Sequence, residues 1–323
     1  MSPEKPAGTT RSGTTRAGSA QAGAWQAARG AAPTADVIHN IGYRHYDGPR
    51  LGRAYARRSL FSQSLRGAYG LGRSAKSKVL PMLLLGVMCL PAGIIVAVAV
   101  ATNVNKLPVE YTRYAIILQA VIGLFVASQA PQSVSRDLRF KTIPLYFSRP
   151  IETVDYVVAK LAALASAIFL LTATPVAILY VGALLAKLDF VDQTKGFAQG
   201  MVSVALLSIL FAGIGLVIAA LTPRRGFGVA AIIAVLTISY GAVSVMQGIA
   251  DEQAESGAIE WLGLFSPITL IDGIGSAFLA ATSAAPGEYG PDAAVGVVYL
   301  LVYAALAAGA YGLLVRRYRK VGL

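Results

Sequence analysis

Residues 79–101 read VLPMLLLGVMCLPAGIIVAVAVA, a run without a single charged side chain. About 20 mostly apolar residues are enough to cross the hydrocarbon core of a bilayer as a helix. Five further stretches meet the same condition: residues 114–132, 157–186, 197–221, 228–250 and 293–315. A seventh apolar stretch, Trp261 to Ala285, is interrupted by Pro267 and Asp272 and is rich in Gly and Ser. It reads as a re-entrant or interfacial hairpin, not as a span. The expected fold is an all-α membrane protein with six transmembrane helices, an N-terminal amphipathic interfacial helix, and a re-entrant extracellular hairpin before the last helix.

Composition points the same way. Of the 323 residues, 55% are hydrophobic and 14% charged, with a mean hydropathy of +0.61. A water-facing surface is built from roughly 25% charged residues, so an ordinary soluble enzyme is excluded. The single cysteine, Cys89, cannot form an internal disulfide, which excludes a stapled secreted domain.

The charges are segregated along the chain. Residues 1–78 hold 13 of the 28 Lys and Arg and only three acids, Glu4, Asp36 and Asp47. No apolar core segment follows these basic residues before Val79, so no signal peptide is expected. Residues 1–35, with the near-repeat GTTRSGTTRAG, have too little apolar surface to fold and are expected to form a disordered cytoplasmic tail. Residues 36–78 form a cytoplasmic arm, and 79–323 the transmembrane domain. Within the arm, Leu51, Tyr55, Leu60, Phe61, Leu65, Tyr69 and Leu71 alternate with Arg and Lys. That pattern predicts an interfacial helix on anionic lipid, and it explains the positive charge without nucleic acid as a partner.

Lys and Arg counting sets the orientation. With the N-terminus inside, 24 basic residues fall on or next to inner segments and 4 (Lys106, Arg113, Lys187, Lys195) on outer loops. The long segment 251–292 has no Lys or Arg and seven acids. The protein is therefore expected in the plasma membrane, multi-pass, with both termini cytoplasmic.

Several chemistries lack their atoms. The two histidines, His39 and His45, both lie in the arm, so neither a metal cluster nor a Ser-His pair at membrane depth is expected. The dipeptide Gly-Lys does not occur, which excludes a phosphate-binding P-loop. Ion-coupled carriers hold ionisable groups inside the bilayer. Here the most polar side chain well inside a span is Gln119, read as an interhelical hydrogen-bonding group. No catalytic residue, cofactor or metal is expected, and any ATP hydrolysis belongs to another chain.

The inner loop between the second and third spans is the most informative segment. Residues 135–150 read SRDLRFKTIPLYFSRP. On a helix, Leu138, Thr142 and Leu145 share one face, and Phe140, Ile143 and Phe147 an adjacent one. A positive-inside loop explains Arg136, Arg139 and Arg149. It does not explain the bulky Phe140, Ile143, Tyr146 and Phe147 between them, which suit docking into a groove on a soluble partner.

At this point the chain resembles the permease subunits of type-2 ATP-binding-cassette (ABC) exporters over residues 50–323. Residues 136–150, followed by Asp155 and Lys160, look like that family's coupling-helix region, with Asp137 where a Glu is usual and Lys141-Thr142 where Gly-Thr is customary. The outer Leu264 to Asp272 segment resembles the family's Pro-containing opening of the re-entrant hairpin. The resemblance implies an ATPase-coupling loop formed by Arg136, Asp137, Leu138, Arg139, Phe140, Ile143, Tyr146 and Phe147, and a re-entrant segment marked by Pro267 and Asp272. It implies as partners a separate ABC-type ATPase, a second permease copy and the lipid bilayer. Two other readings fit parts of the sequence: an ion-coupled secondary transporter, and a membrane anchor that recruits a soluble protein without transporting anything.

Overall fold

The computed structural model describes residues 48, 51–102, 106–140, 146, 151–222 and 224–321. The sequence expectations for residues 1–35 and for most of 36–50 lie outside these. Leu51–Leu323 forms one compact unit, and among the described residues it is all helical. We number its helices α1 (Arg53–Ala68), α2 (Ala75–Thr102), α3 (Tyr111–Ile117), α4 (Gln119–Arg139), α5 (Thr153–Leu185), α6 (Phe190–Leu221), α7 (Arg225–Glu252), α8 (Ser256–Leu262), α9 (Pro267–Phe278) and α10 (Ala293–Val321).

Five of these, α2, α5, α6, α7 and α10, are each long and apolar enough to cross a membrane alone. Helices α3 and α4, bent by 62° at the break between them, meet the same test together, which brings the number of spans to six if the pair is one span. Their starts follow local chemistry. Glu152 and Asp155 form a reciprocal capping box at the start of α5. The Asp189 carboxylate accepts from the Asp192 amide at the start of α6, and the Asp292 carboxylate accepts from the Val295 amide at the start of α10.

Helices α5 and α6 are the most buried and form the centre, with α2, α7 and α10 more exposed around them. Lipid tails are as apolar as leucine, so close van der Waals packing, not water exclusion, holds such helices together. Small residues permit that approach. A Cβ on Gly215 of α6 would lie 2.5 Å from Val126 Cγ1 of α4, and one on Gly182 of α5 would lie 2.1 Å from Val96 Cγ2 of α2.

The break in the second span differs from the continuous helix expected over 114–132. Leu118 leaves the helical track at φ −96°, ψ 20°, with no Pro or Gly at the position. Tertiary contacts hold α3 instead. Tyr111 Oη donates to Gln193 Oε1 at 2.6 Å, Tyr114 Oη donates to the Met88 carbonyl at 2.5 Å, and the Tyr111 backbone lies against Gly200, where a Cβ would be 2.7 Å from Tyr111 Cβ. Gln119 stands just after this break and has no hydrogen-bond partner among the described residues. The interhelical bond expected of it is not made. A glutamine that the sequence did not single out, Gln247 of α7, makes one, donating to the Ile259 carbonyl of α8 at 3.0 Å.

After α7 come α8, a 3-10 turn (Gly263–Phe265) and α9, which at twelve residues is too short to span. Pro267 occupies the first turn of α9, where its missing N–H is not needed. The ring of Tyr299 of α10 is clamped between Gly263 and Gly273. A Cβ on Gly273 would sit 2.2 Å from the ring at Cε1, and one on Gly263 would sit 2.2 Å from the hydroxyl oxygen, so a side chain at either position would displace the tyrosine.

Candidate functional site

Two clusters of polar side chains mark the two ends of the bundle. At one end, α1, the end of α4, the start of α5 and the end of α10 converge. Lys160 Nζ, on the second turn of α5, lies 3.1 Å from Asp137 Oδ2 and donates to the Ser133 carbonyl at 2.9 Å. Tyr156 Oη donates to the same Asp137 carboxylate at 2.7 Å, and Lys160 Nζ lies 5.5 Å from the Tyr156 ring centroid. The Tyr156 ring is fully buried between Tyr318 of α10, at a centroid distance of 5.0 Å, and Tyr146, at 5.5 Å. Ser135 Oγ donates to the Ala219 carbonyl at 3.0 Å, which fastens the end of α4 to the end of α6.

Helix α1 is tied to this cluster by charge. Arg53 reaches across to Glu152, with Nη2 donating to Oε2 at 2.8 Å, and pairs with Asp155 as well. Arg57 Nη1 lies 3.7 Å from Asp155 Oδ1. Glu152 caps α5 and Asp155 lies in its first turn, where the helix dipole already favours negative charge. The apolar side of α1 uses Leu60, with Phe61 and Leu65 partly buried beside it. Between α1, α4 and α5 lies a cavity of about 440 Å³. Gln63, Gln129, Asp137, Phe140, Tyr146 and Lys160 border it.

The loop residues singled out from sequence are thus divided. Arg136, Asp137, Leu138 and Arg139 form the last turn of α4. Asp137 faces Lys160 and Tyr156, and Leu138 is half-buried against the core. Phe140 is 64% exposed, and Tyr146 is half-buried on the Tyr156 ring. The side chains of Arg136 and Arg139, and all of Ile143 and Phe147, lie outside the described residues. Sequence reasoning missed Tyr156, Tyr318, Arg53 and Glu152 as partners. The one available signal was an acid and a lysine close to the same membrane face of successive spans.

At the other end, two carboxylates grip three consecutive residues of the return from α9. Glu110 accepts from the Thr282 amide at 3.0 Å and from its hydroxyl at 2.7 Å. Asp272 accepts from the Ser283 hydroxyl at 3.1 Å and from the Ala284 amide at 2.8 Å. Burial raises the Asp272 carboxyl above its ordinary range, opposed by those two hydrogen bonds and by Arg113, and reinforced by Glu110. Among the described residues no group of three His, Cys, Asp or Glu is placed to hold a metal ion. The first cluster ties the end of α4 to the start of α5 through Asp137, Tyr156 and Lys160.

Comparison with known proteins accords with this picture. No curated protein matches the chain. The family model described as ABC-2 family transporter protein matches residues 14–323, nearly the whole chain. With a bundle of apolar helices that supplies up to six spans, the protein is a multi-pass membrane protein and a transport subunit that belongs to the ABC-2 transporter family.

Proposed function

We propose that this protein is the membrane half of an ATP-driven exporter, in which two permease copies form the substrate pathway and a separate ABC-type ATPase supplies the energy. The observation that supports this reading most is the Asp137–Tyr156–Lys160 cluster. A loop that pushes or pulls on α4 and α5 needs its two ends tied together, or the displacement is lost in bending. Asp137 and Lys160 tie them, Tyr318 adds α10, and Arg53 adds α1. Movement of the loop by an ATPase then reaches the spans as one displacement.

The end that carries this cluster is the cytoplasmic one, because it holds nearly all the Lys and Arg, and the acidic hairpin end faces outside. Residues 1–35 form a tail, 36–78 a membrane-surface arm and 79–323 the six-span domain. The coupling loop runs from Arg136 through Phe147. Its exposed Phe140 is a docking anchor, and Arg136 and Arg139 fix the register against the ATPase. Pro267 and Asp272 belong to the hairpin that closes the outer side of the pathway.

The test is co-purification of the ATPase with loop variants. Phe140→Ala and Arg139→Glu should reduce bound ATPase while insertion and thermal stability stay as in the wild type, and the Arg139→Glu loss should deepen with salt. Tyr146→Ala should reduce binding and also lower stability, since its ring packs on Tyr156. Arg225→Glu, at the first residue of α7, is the control with a smaller effect. Full ATPase binding and substrate-stimulated hydrolysis in all three loop variants would refute the coupling role.

A further inference from the structure

Helix α7 carries Ile233, Leu236, Thr237 and Tyr240 at helical spacing, so they share one face. The first turns of α4 present Gln119, Ala120, Gly123 and Leu124 in the same way. Between these two faces and the start of α9 lies a cavity of about 410 Å³. Phe211 of α6 and Ile268 of α9 are the buried part of its wall, and Leu124 and Ile233 the exposed part. It therefore opens on the outside of the bundle, between α4 and α7. No charged side chain among the described residues lines it.

The polar groups around this cavity are ones the bundle leaves unused. Thr172, Thr174, Thr194 and Thr222 each donate to the carbonyl four residues back, which satisfies a hydroxyl away from water. Thr237 makes no such bond among the described residues, and neither the Gln119 amide nor the Tyr240 hydroxyl has a partner there. Ser266, 1% exposed at the N-cap of α9, has a hydroxyl that is buried without a hydrogen-bond partner. By contrast Tyr69, Tyr114, Tyr299 and Tyr303 all donate to backbone carbonyls. A polar group left unpaired away from water costs free energy that a partner recovers.

We infer that this cavity binds an uncharged amphiphile, an apolar chain or ring system that ends in a hydroxyl, ester or amide. Its volume lies within the roughly 300–1,000 Å³ of small-molecule sites, and a mostly apolar wall with a few placed polar groups is the lining such sites have. An ionised ligand would be desolvated here with no counter-charge, which excludes it. The binding direction follows from the chain. Helix α4 runs away from the hairpin and α7 runs towards it, so Gln119, Tyr240 and Ser266 gather at the hairpin end and Leu124 and Ile233 lie deeper. The polar end of the ligand points to the hairpin and its apolar body to the middle of the bilayer. A diglyceride of the bilayer and a small amphiphile entering from outside share this chemistry. The assignment concerns binding and is independent of how the ATPase couples.

Photolabelling of the full chain in nanodiscs tests the site. The probe is a long-chain alcohol with a diazirine on its chain, titrated and mapped by peptide mass spectrometry. The matching alkane and the matching alkyl sulfate are the comparisons. The alcohol should label α4 and α7 saturably, and at lower concentration than either comparison. Gln119→Leu, Thr237→Val and Tyr240→Phe should each raise the half-labelling concentration roughly fivefold, the scale of one hydrogen bond, and Gln119→Leu/Thr237→Val more. Ala120→Leu, which narrows the exposed side of the cavity, should raise it too. Thr174→Val, on α5, should leave it unchanged, and melting temperatures should not fall in any of these variants. Competition by dioleoylglycerol would name a bilayer lipid as the source and its absence a small amphiphile, and either result upholds the site. Equal labelling by alcohol, alkane and sulfate, or unchanged labelling in the polar variants, would overturn the assignment. So would a disulfide between two copies of Leu124→Cys together with no labelling, since a second copy would then cover the opening. No ATPase is needed, so a negative result with the coupling-loop variants would leave this one standing.

Discussion

Lys160 Nζ lies 3.1 Å from Asp137 Oδ2, and their side chains are only 10% and 17% exposed, so one near-buried ion pair joins the two ends of the α4–α5 loop. Removing one partner of such a pair leaves an uncompensated charge in a medium of low polarity.

Lys160→Met should therefore destabilise the protein by on the order of 3 kcal/mol, read as a lowered melting temperature in detergent. Asp137→Asn should cost less, because an amide oxygen still accepts from Tyr156. The double variant Asp137→Asn/Lys160→Met should be more stable than Lys160→Met alone. Simply additive losses would show that the two residues do not interact.

Gly215 sets how closely α6 approaches α4. Gly215→Leu forces a large side chain to where Val126 Cγ1 already stands and should destabilise by about 1–3 kcal/mol. Gly241→Leu, on α7 with open space at its Cβ, is the comparison that should leave stability nearly unchanged. Equal losses in the two variants would contradict the packing described for α6.

The return from α9, held by Asp272 and Glu110, should respond to pH through Asp272. Its carboxyl is raised in the folded state, chiefly by burial, with Glu110 acting in the same sense and Arg113 against it. The stability linked to it is thus present at acid pH and lost as pH rises through the folded value. Asp272→Asn imitates the protonated form and keeps an acceptor for the Ala284 amide. The melting temperature of the variant relative to wild type should climb between pH 4 and pH 7. A flat difference across that range would place the carboxyl in a solvated setting.

Orientation is checked by labelling. A Ser256→Cys variant lies at the start of α8, at the hairpin end, and should react with an impermeant maleimide added to intact cells. A reporter fused after Leu323 should stay cytoplasmic. Reaction at 256 only after permeabilisation would reverse the topology. Deletion of residues 1–35 should preserve insertion, because that stretch has no apolar periodicity to pack.

Hydropathy and charge are summed properties of long segments, and for that reason the all-helical membrane fold, with its five to six apolar spans, and the segregation of basic residues were legible without coordinates. The helix ends at Glu152, Asp189 and Asp292 were legible in kind, since a capping acid acts within three residues of itself. The break at Leu118 was not: no local residue demands it, and it is imposed by Tyr111 and Tyr114 binding Gln193 and Met88 far away in the chain. The same holds for the candidate site. Asp137 and Lys160 were visible as charges beside a loop, but Tyr156, Tyr318 and Arg53 joined them only through the crossing of α1, α4, α5 and α10. Sequence alone determined that the chain is a multi-pass helical membrane protein, because transfer of apolar segments into lipid depends on composition and length. Which polar groups meet was decided by the tertiary structure, because a hydrogen bond acts within about 3 Å and helix packing alone brings such distant residues that close.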